Sequence, residues 1–157
     1  MIVNFPNSRL ALNPLTSMYT ELENEPVAAV LLIIFNRPKH TEMVLEKIRR
    51  VRPSKLYVAA DGPRLSHPND RYQCEATRNL INYIDWACEV KTLFHDENLG
   101  CRQAVIAGIN WFMSNENEGI ILEDDCLPSE SFFRFCSMML KHHRENSRIT
   151  VSYTHLR

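Results

Sequence analysis

The chain has 157 residues, 18 Lys+Arg against 19 Asp+Glu and a formal net charge of -1, with 45% hydrophobic and 24% charged residues. This is room for one core of ordinary soluble composition, which excludes collagen-like, disordered and disulfide-scaffold proteins. Without a global positive field, non-specific attraction to nucleic acid or to an anionic membrane is excluded too.

Residues 1–25 show no hydrophobic period and read as an unassigned N-terminal extension. They lack the basic start and apolar block of a signal peptide. Val27–Phe35 is a continuous apolar run rich in Val and Ile, the pattern of a parallel strand covered on both faces. It is about half the length that crosses a bilayer, so no transmembrane segment is expected. Pro38 opens a helix whose stripe is Val44, Leu45, Ile48 and Val51, and Pro53 ends it. Leu56–Ala60 is a second strand, closed by the turn signal Asp61-Gly62-Pro63. A second helix is expected from Asp70 to Trp86, with Cys74, Thr77, Ile81 and Ile84 on one face.

Val90–Phe94 reads as the third strand, and Asn98-Leu99-Gly100 leads into a third helix burying Cys101, Ala104, Val105, Gly108 and Phe112. Gly119–Leu122 is the fourth strand. Pro128-Ser129 then starts a fourth helix, capped by Ser129 and favoured at its positive end by Glu130. Phe132, Phe133, Phe135, Cys136, Met139 and Leu140 form its apolar face, and Arg148–Val151 begins a fifth strand. Strict alternation of strand and helix predicts an α/β fold: a mostly parallel sheet, Rossmann-like, with helices on both faces.

Ligands of such sheets bind beyond the carboxyl ends of the strands, where the strand order reverses. The residues just after the strands are Asn36 and Arg37, Asp61 and Gly62, Asn98 and Gly100, and Glu123-Asp124-Asp125. Three adjacent carboxylates repel one another unless water or a cation offsets them. Hard oxygen ligands at a strand end suit Mg²⁺ or Mn²⁺, with a phosphate completing the shell. The competing reading is a solvated acidic loop whose Asp side chains bond the local backbone. Alternation along the strand puts Glu123 and Asp125 on one face and Asp124 on the other. Asp61-Gly62 is a standard turn pair, and its carboxylate can also accept from a nucleobase N–H. Arg37 suits a base or a phosphate, or simply faces solvent. Arg102, a cation at the start of a helix, hints at an anion nearby.

Other chemistries find no support. The four glycines form no Gly-x-Gly and no Walker A loop. The five cysteines, Cys74, Cys88, Cys101, Cys126 and Cys136, form no Cys-x-x-Cys pair and read as reduced, half-buried residues. The six histidines, including His40, His67 and His95, read as surface or rim residues. No serine nucleophile elbow or Cys–His signature is visible.

Four strings carry a family likeness: Leu32-Ile33-Ile34-Phe35-Asn36-Arg37-Pro38, Ala59-Ala60-Asp61-Gly62-Pro63-Arg64, Asp96-Glu97-Asn98-Leu99-Gly100, and Ile120 through Glu123-Asp124-Asp125 to Ser129. In this order and spacing the chain resembles the nucleotide-binding half of a GT-A-fold glycosyltransferase. It is most similar to bacterial nucleotide-diphospho-sugar transferases, and more distantly to the N-acetylglucosaminyltransferase I group. The resemblance implies a donor-binding half-domain over 26–149 that takes a nucleoside-diphosphate sugar, with a UDP-sugar favoured, and a divalent cation, Mn²⁺ or Mg²⁺. It makes Glu123-Asp124-Asp125 a variant of the DxD motif, with Asp125 as the metal ligand and Glu123 and Asp124 near ribose or metal-bound water.

The same resemblance gives Asp61 the uracil edge, Asn36 and Arg37 the base and ribose, and the Asn98–Gly100 loop with Arg102 the diphosphate. A general base and the acceptor contacts belong to a second half that such proteins carry after the acidic motif. Residues 150–157 depart from the family pattern and read as a non-native or truncated tail, which makes the chain a fragment. The acceptor, whether glycan, lipid-linked or protein, is unassigned. Cytoplasmic residence, in solution or peripheral to the inner face of the membrane, is expected. The competing functions are a nucleotidyltransferase-like enzyme and a non-catalytic sugar-nucleotide-binding module. A phospho-acceptor receiver domain would want its acidic pair after the first strand, where this chain has Asn36 and Arg37.

Overall fold

Residues 26–146 are described by a computed structural model. Four strands, β1 (Val30–Ile34), β2 (Lys55–Ala60), β3 (Glu89–Phe94) and β4 (Ile120–Glu123), form one sheet in the order β3-β2-β1-β4. Every pairing is parallel. The register sets Ile34, Ala60 and Phe94 abreast, and Glu123 opposite Ile33, so the four carboxyl ends share one edge. The chain winds outward from β1 to β3, then returns across the sheet to place β4 on the other side of β1. The strand order therefore reverses between β1 and β4.

The helices are α1 (Pro38–Val51), α2 (Asp70–Asn79), α3 (Cys101–Asn115) and α4 (Glu130–His143). Alternation along the strands sorts the core into two layers. Val30, Leu32, Ile34, Leu56, Val58, Ala60, Ile120 and Leu122 face one way, against Val44 and Ile48 of α1 and Phe133 of α4. Leu31, Tyr57 and Ala59 face the other way, against Phe112 of α3. Phe133 is fully buried, a burial worth about 1.5–3 kcal/mol. The expected α/β architecture, a parallel sheet with helices on both faces, is the one observed.

Local chemistry explains the helix ends. Pro38 is the first residue of α1, and Arg49 and Arg50 lie in its last turn, where cations suit the negative end of the dipole. Arg52 then takes a left-handed φ of 47°, its N–H bonded to Ile48 O at 3.0 Å, and Pro53 follows. Ser129 caps α4 as expected, its Oγ accepting from Phe132 N at 3.3 Å. On the α3 side, the buried Tyr57 hydroxyl donates to Glu116 Oε1 at 2.6 Å and Lys55 Nζ reaches the same oxygen at 2.7 Å, tying the end of α3 to the amino edge of the sheet.

Several expectations need correction. Pairing to both neighbours begins at Val30, so β1 is shorter than Val27–Phe35; Ala28 N instead donates to Ser137 Oγ of α4 at 2.9 Å. The second helix does not run to Trp86. It tightens into a 3-10 turn over Leu80–Tyr83, which brings Ile81 and Ile84 against the core, and the Trp86 indole then donates to Pro53 O at 3.0 Å. Cys101 is exposed because α3 starts there, at the carboxyl edge of the sheet. Phe135 is exposed too, off the stripe set by Phe133 and Ser137. Cys126 is exposed, whereas Cys88 and Cys136 are half-buried, Cys74 is buried, and all five are free thiols. The fifth strand at Arg148–Val151, the tail and the N-terminal extension lie outside the described residues. Among the described residues no helix is long and apolar enough to cross a membrane.

Candidate functional site

The predicted residues reach the carboxyl edge of the sheet in two groups. The first spans the point where the strand order reverses. Arg37, the residue before α1, extends its guanidinium to the residues that follow β4. Nη2 bonds Asp124 Oδ1, and Nη1 lies 3.3 Å from Asp125 Oδ2. The side chain of Asp124 is 3% exposed and those of Arg37 and Asp125 are 44% and 58% exposed, so one carboxylate is fixed and the other two groups are open to exchange. Burial opposes the charge on Arg37, but the two carboxylates outweigh it and raise its pKa. Asp124 Oδ2 is buried without a hydrogen-bond partner. Glu123 and Asp125 are exposed and Asp124 is buried, but β4 ends at Glu123, and Asp124 and Asp125 both turn to Arg37, so the expected placing of these two on opposite faces does not extend past the strand.

The second group lies beyond β2 and β3 and is built around Asp61. Its Oδ1 accepts from Gly62 N at 2.9 Å and Leu99 N at 2.8 Å. Its Oδ2 accepts from Asn98 Nδ2 at 2.9 Å and Gly100 N at 3.1 Å. A carboxylate offers about four acceptor positions, and these donors fill them. The turn reading of Asp61-Gly62 is therefore realised, and this arrangement leaves Asp61 no acceptor for a nucleobase N–H. Asp61 instead fixes the loop that starts α3. Asn98 also donates to Gly62 O at 2.8 Å. Gly62 has no room for a side chain, since a Cβ there would lie 2.3 Å from the Glu97 carbonyl carbon. Gly100 needs its φ of 81° to turn the chain into the helix. Arg102 is exposed in the first turn of α3.

Between the two groups sits a residue that the sequence reading took only as a helix start. Asp70 is 5% exposed and accepts from Asn36 Nδ2 at 2.8 Å. Arg64 clasps it with Nε at 2.6 Å and Nη2 at 3.1 Å. Asn36 is thus oriented by Asp70, and Arg64 crosses the Phe35 ring at 5.3 Å from its centroid. The Arg64 bonds, against the opposing cost of burial and with help from Asn36, hold the Asp70 carboxyl well below the usual carboxylate range. A depressed folded-state pKa contributes stability above the unfolded value of about 4, which is lost as the pH falls below it. Wild-type protein should therefore lose denaturant resistance between about pH 4 and pH 2, and Asp70→Asn should flatten that limb. Equal acid slopes in urea melts of the two proteins would contradict the clasp.

Arg78 and His95 were also missed. Arg78 Nη2 donates to Asp61 O at 3.1 Å and His95 O at 2.6 Å, joining the ends of β2 and β3. The His95 Nε2 atom is buried without a partner, so His95 is no simple rim residue. No sequence signal marks either residue, because neither lies in a recognisable string.

α1 and α3 both begin at this edge. Neither has a side-chain cap bond or an acidic residue in its first turn. By contrast α2 has Asp70 and α4 has Ser129 with Glu130. The two open helix starts leave unbonded N–H groups and a positive dipole end next to the predicted residues. A broad trough of about 950 Å³ elsewhere, between α1 and the 3-10 turn, is lined by residues such as Met43, Tyr83 and Trp86 and by none of the predicted ones.

Among the described residues no three His, Cys, Asp or Glu side chains converge as a metal cage. Mg²⁺-type sites commonly use only one or two carboxylates, with waters and substrate phosphates completing the shell. Asp124, with its unpartnered buried oxygen, and the accessible Asp125 fit that description. No protein-family model, curated protein or solved structure matches the chain.

Proposed function

We propose that the carboxyl edge of the sheet binds a nucleoside-diphosphate sugar together with a divalent cation, and that the chain is the donor-binding part of a glycosyltransferase. The observation that carries this reading is the Arg37–Asp124–Asp125 constellation at the reversal of strand order, with one carboxylate oxygen buried and unsatisfied. Strand-end oxygen ligands for a hard cation, a guanidinium for phosphate and two uncapped helix starts form a set that suits a metal-bound diphosphate.

Asp125 and Asp124 would hold Mn²⁺ or Mg²⁺. When bound, such a cation neutralises the charge of a departing diphosphate. The open starts of α1 and α3, with Arg37 and Arg102, would meet the phosphates. Asn36, oriented by Asp70, and the Asn98–Gly100 loop, fixed by Asp61, would form the wall against the nucleoside. UDP is the preferred nucleotide on the strength of the sequence resemblance. The sugar acceptor would be met by a further part of the protein, in the cytoplasm or at the inner face of the membrane.

UDP with Mn²⁺ is expected to raise the melting temperature of the wild-type chain. At about 100 times Kd the stabilisation is roughly 2.7 kcal/mol. A melt unmoved by millimolar UDP and Mn²⁺ together would count against the reading.

A further inference from the structure

Arg37 occupies the two carboxylates that the proposed cation needs. Its guanidinium bonds both Asp124 and Asp125, bridging the ends of β1 and β4. The three groups differ in freedom. Asp124 is 97% buried by the complement of its 3% exposure and cannot leave, whereas Arg37 is nearly half exposed on a long flexible stem. One oxygen of Asp124 is satisfied by Arg37 and the other has no partner at all. The carboxylate is thus half-neutralised by a cation that can move, while its second oxygen, enclosed from solvent, has no partner.

A divalent cation arriving alone must displace the guanidinium and then sit beside it, charge against charge. A cation arriving with a diphosphate faces neither cost. The phosphate oxygens give the guanidinium a new bidentate partner, and they complete the oxygen shell of the metal. Resting on the donor-site reading above, we propose that Arg37 makes cation binding and nucleotide binding mutually dependent: it holds Asp124 and Asp125 until a nucleoside diphosphate takes its guanidinium. Free metal is thereby kept from the site, and the metal–nucleotide complex is the species selected. Linkage makes the effect reciprocal, so the nucleotide raises metal affinity by the same factor as the metal raises nucleotide affinity.

The test is a Mn²⁺ titration of the full chain, with and without UDP, following the free Mn²⁺ signal by electron paramagnetic resonance. In wild type, UDP should tighten Mn²⁺ binding about tenfold or more. In Arg37→Gln, Mn²⁺ alone should bind about tenfold tighter than to wild type, and the enhancement by UDP should fall toward one. Without metal, that variant leaves Asp124 buried and unpaired, so it should melt lower than wild type and gain more from Mn²⁺. Arg37→Lys, which keeps the charge and guards against loss of folding, should bind Mn²⁺ alone within about twofold of wild type and retain only part of the UDP enhancement. If the UDP enhancement is present in wild type and unchanged in Arg37→Gln, the coupling role is overturned and the donor site stands. If UDP does not tighten Mn²⁺ binding to wild type but the two ligands together still raise its melting temperature, the coupling is overturned and the donor site stands; if the melt is unmoved as well, the donor site is overturned and the coupling with it.

Discussion

Asp61→Asn is expected to lower the urea midpoint of the chain sharply, at a cost of about 3–5 kcal/mol. The substitution keeps shape and removes charge, so the effect isolates the hydrogen bonds. In the native arrangement all four contacts are donors aimed at carboxylate oxygens: Gly62 N, Leu99 N, Gly100 N and Asn98 Nδ2. An amide presents one NH₂ group in place of one oxygen. Whichever way it turns, two of those donors then face a donor.

Two donors, buried or part-buried, are left unsatisfied and two charge-assisted bonds become neutral ones. The whole domain has roughly 5–15 kcal/mol to lose, so the variant sits near the edge of folding. The slope of the urea transition should stay near that of wild type, since the folded state it leaves is the same. The loop holding Asn98 and Gly100 should also exchange its amide hydrogens faster. A midpoint shift worth less than about 1 kcal/mol would show that Asp61 does not hold the loop.

This residue also shows where sequence reading reaches its end. That Asp61 stands at a strand end beside a turn glycine is legible, because turn chemistry is local. What its carboxylate bonds is not, because three of its donors come from residues 98–100, brought over by the β3–α3 connection. Asp70 illustrates the same limit. Its partners Asn36 and Arg64 lie in two different strings, and only the parallel pairing of β1 with β2 brings them to one place.

Elements were legible where one period governs a stretch. The alternation of strands and helices fixes the α/β architecture, and the strand-end rule collects Arg37 with Asp124 and Asp125 from positions 88 or fewer residues apart. Boundaries were less legible, since they depend on partners. β1 is cut at Val30 by where its neighbours begin, although the apolar run starts earlier. The second helix breaks after Asn79 because Ile81 and Ile84 reach the core only from a tighter turn. Exposure at Cys101 and Phe135 follows from where the helices end and which side they present, which hydrophobicity alone does not encode.

On the proposed reading Asp125 serves a metal-borne nucleotide rather than the fold. Its exposure separates the two roles cleanly. It makes one long ion pair, at 3.3 Å, with an Arg that also bonds Asp124. Exposed pairs of this kind are worth about 0–1 kcal/mol, so Asp125→Ala should melt close to wild type in the absence of ligand. Ligand binding is where the variant should fail.

The most direct measurement compares the melting of wild type and Asp125→Ala with UDP alone, Mn²⁺ alone and both together. Wild type should gain roughly 2.7 kcal/mol from the pair of ligands at about 100 times Kd, and Asp125→Ala should keep only what UDP contributes without metal. Equal stabilisation of the two proteins by UDP with Mn²⁺ would contradict that reading.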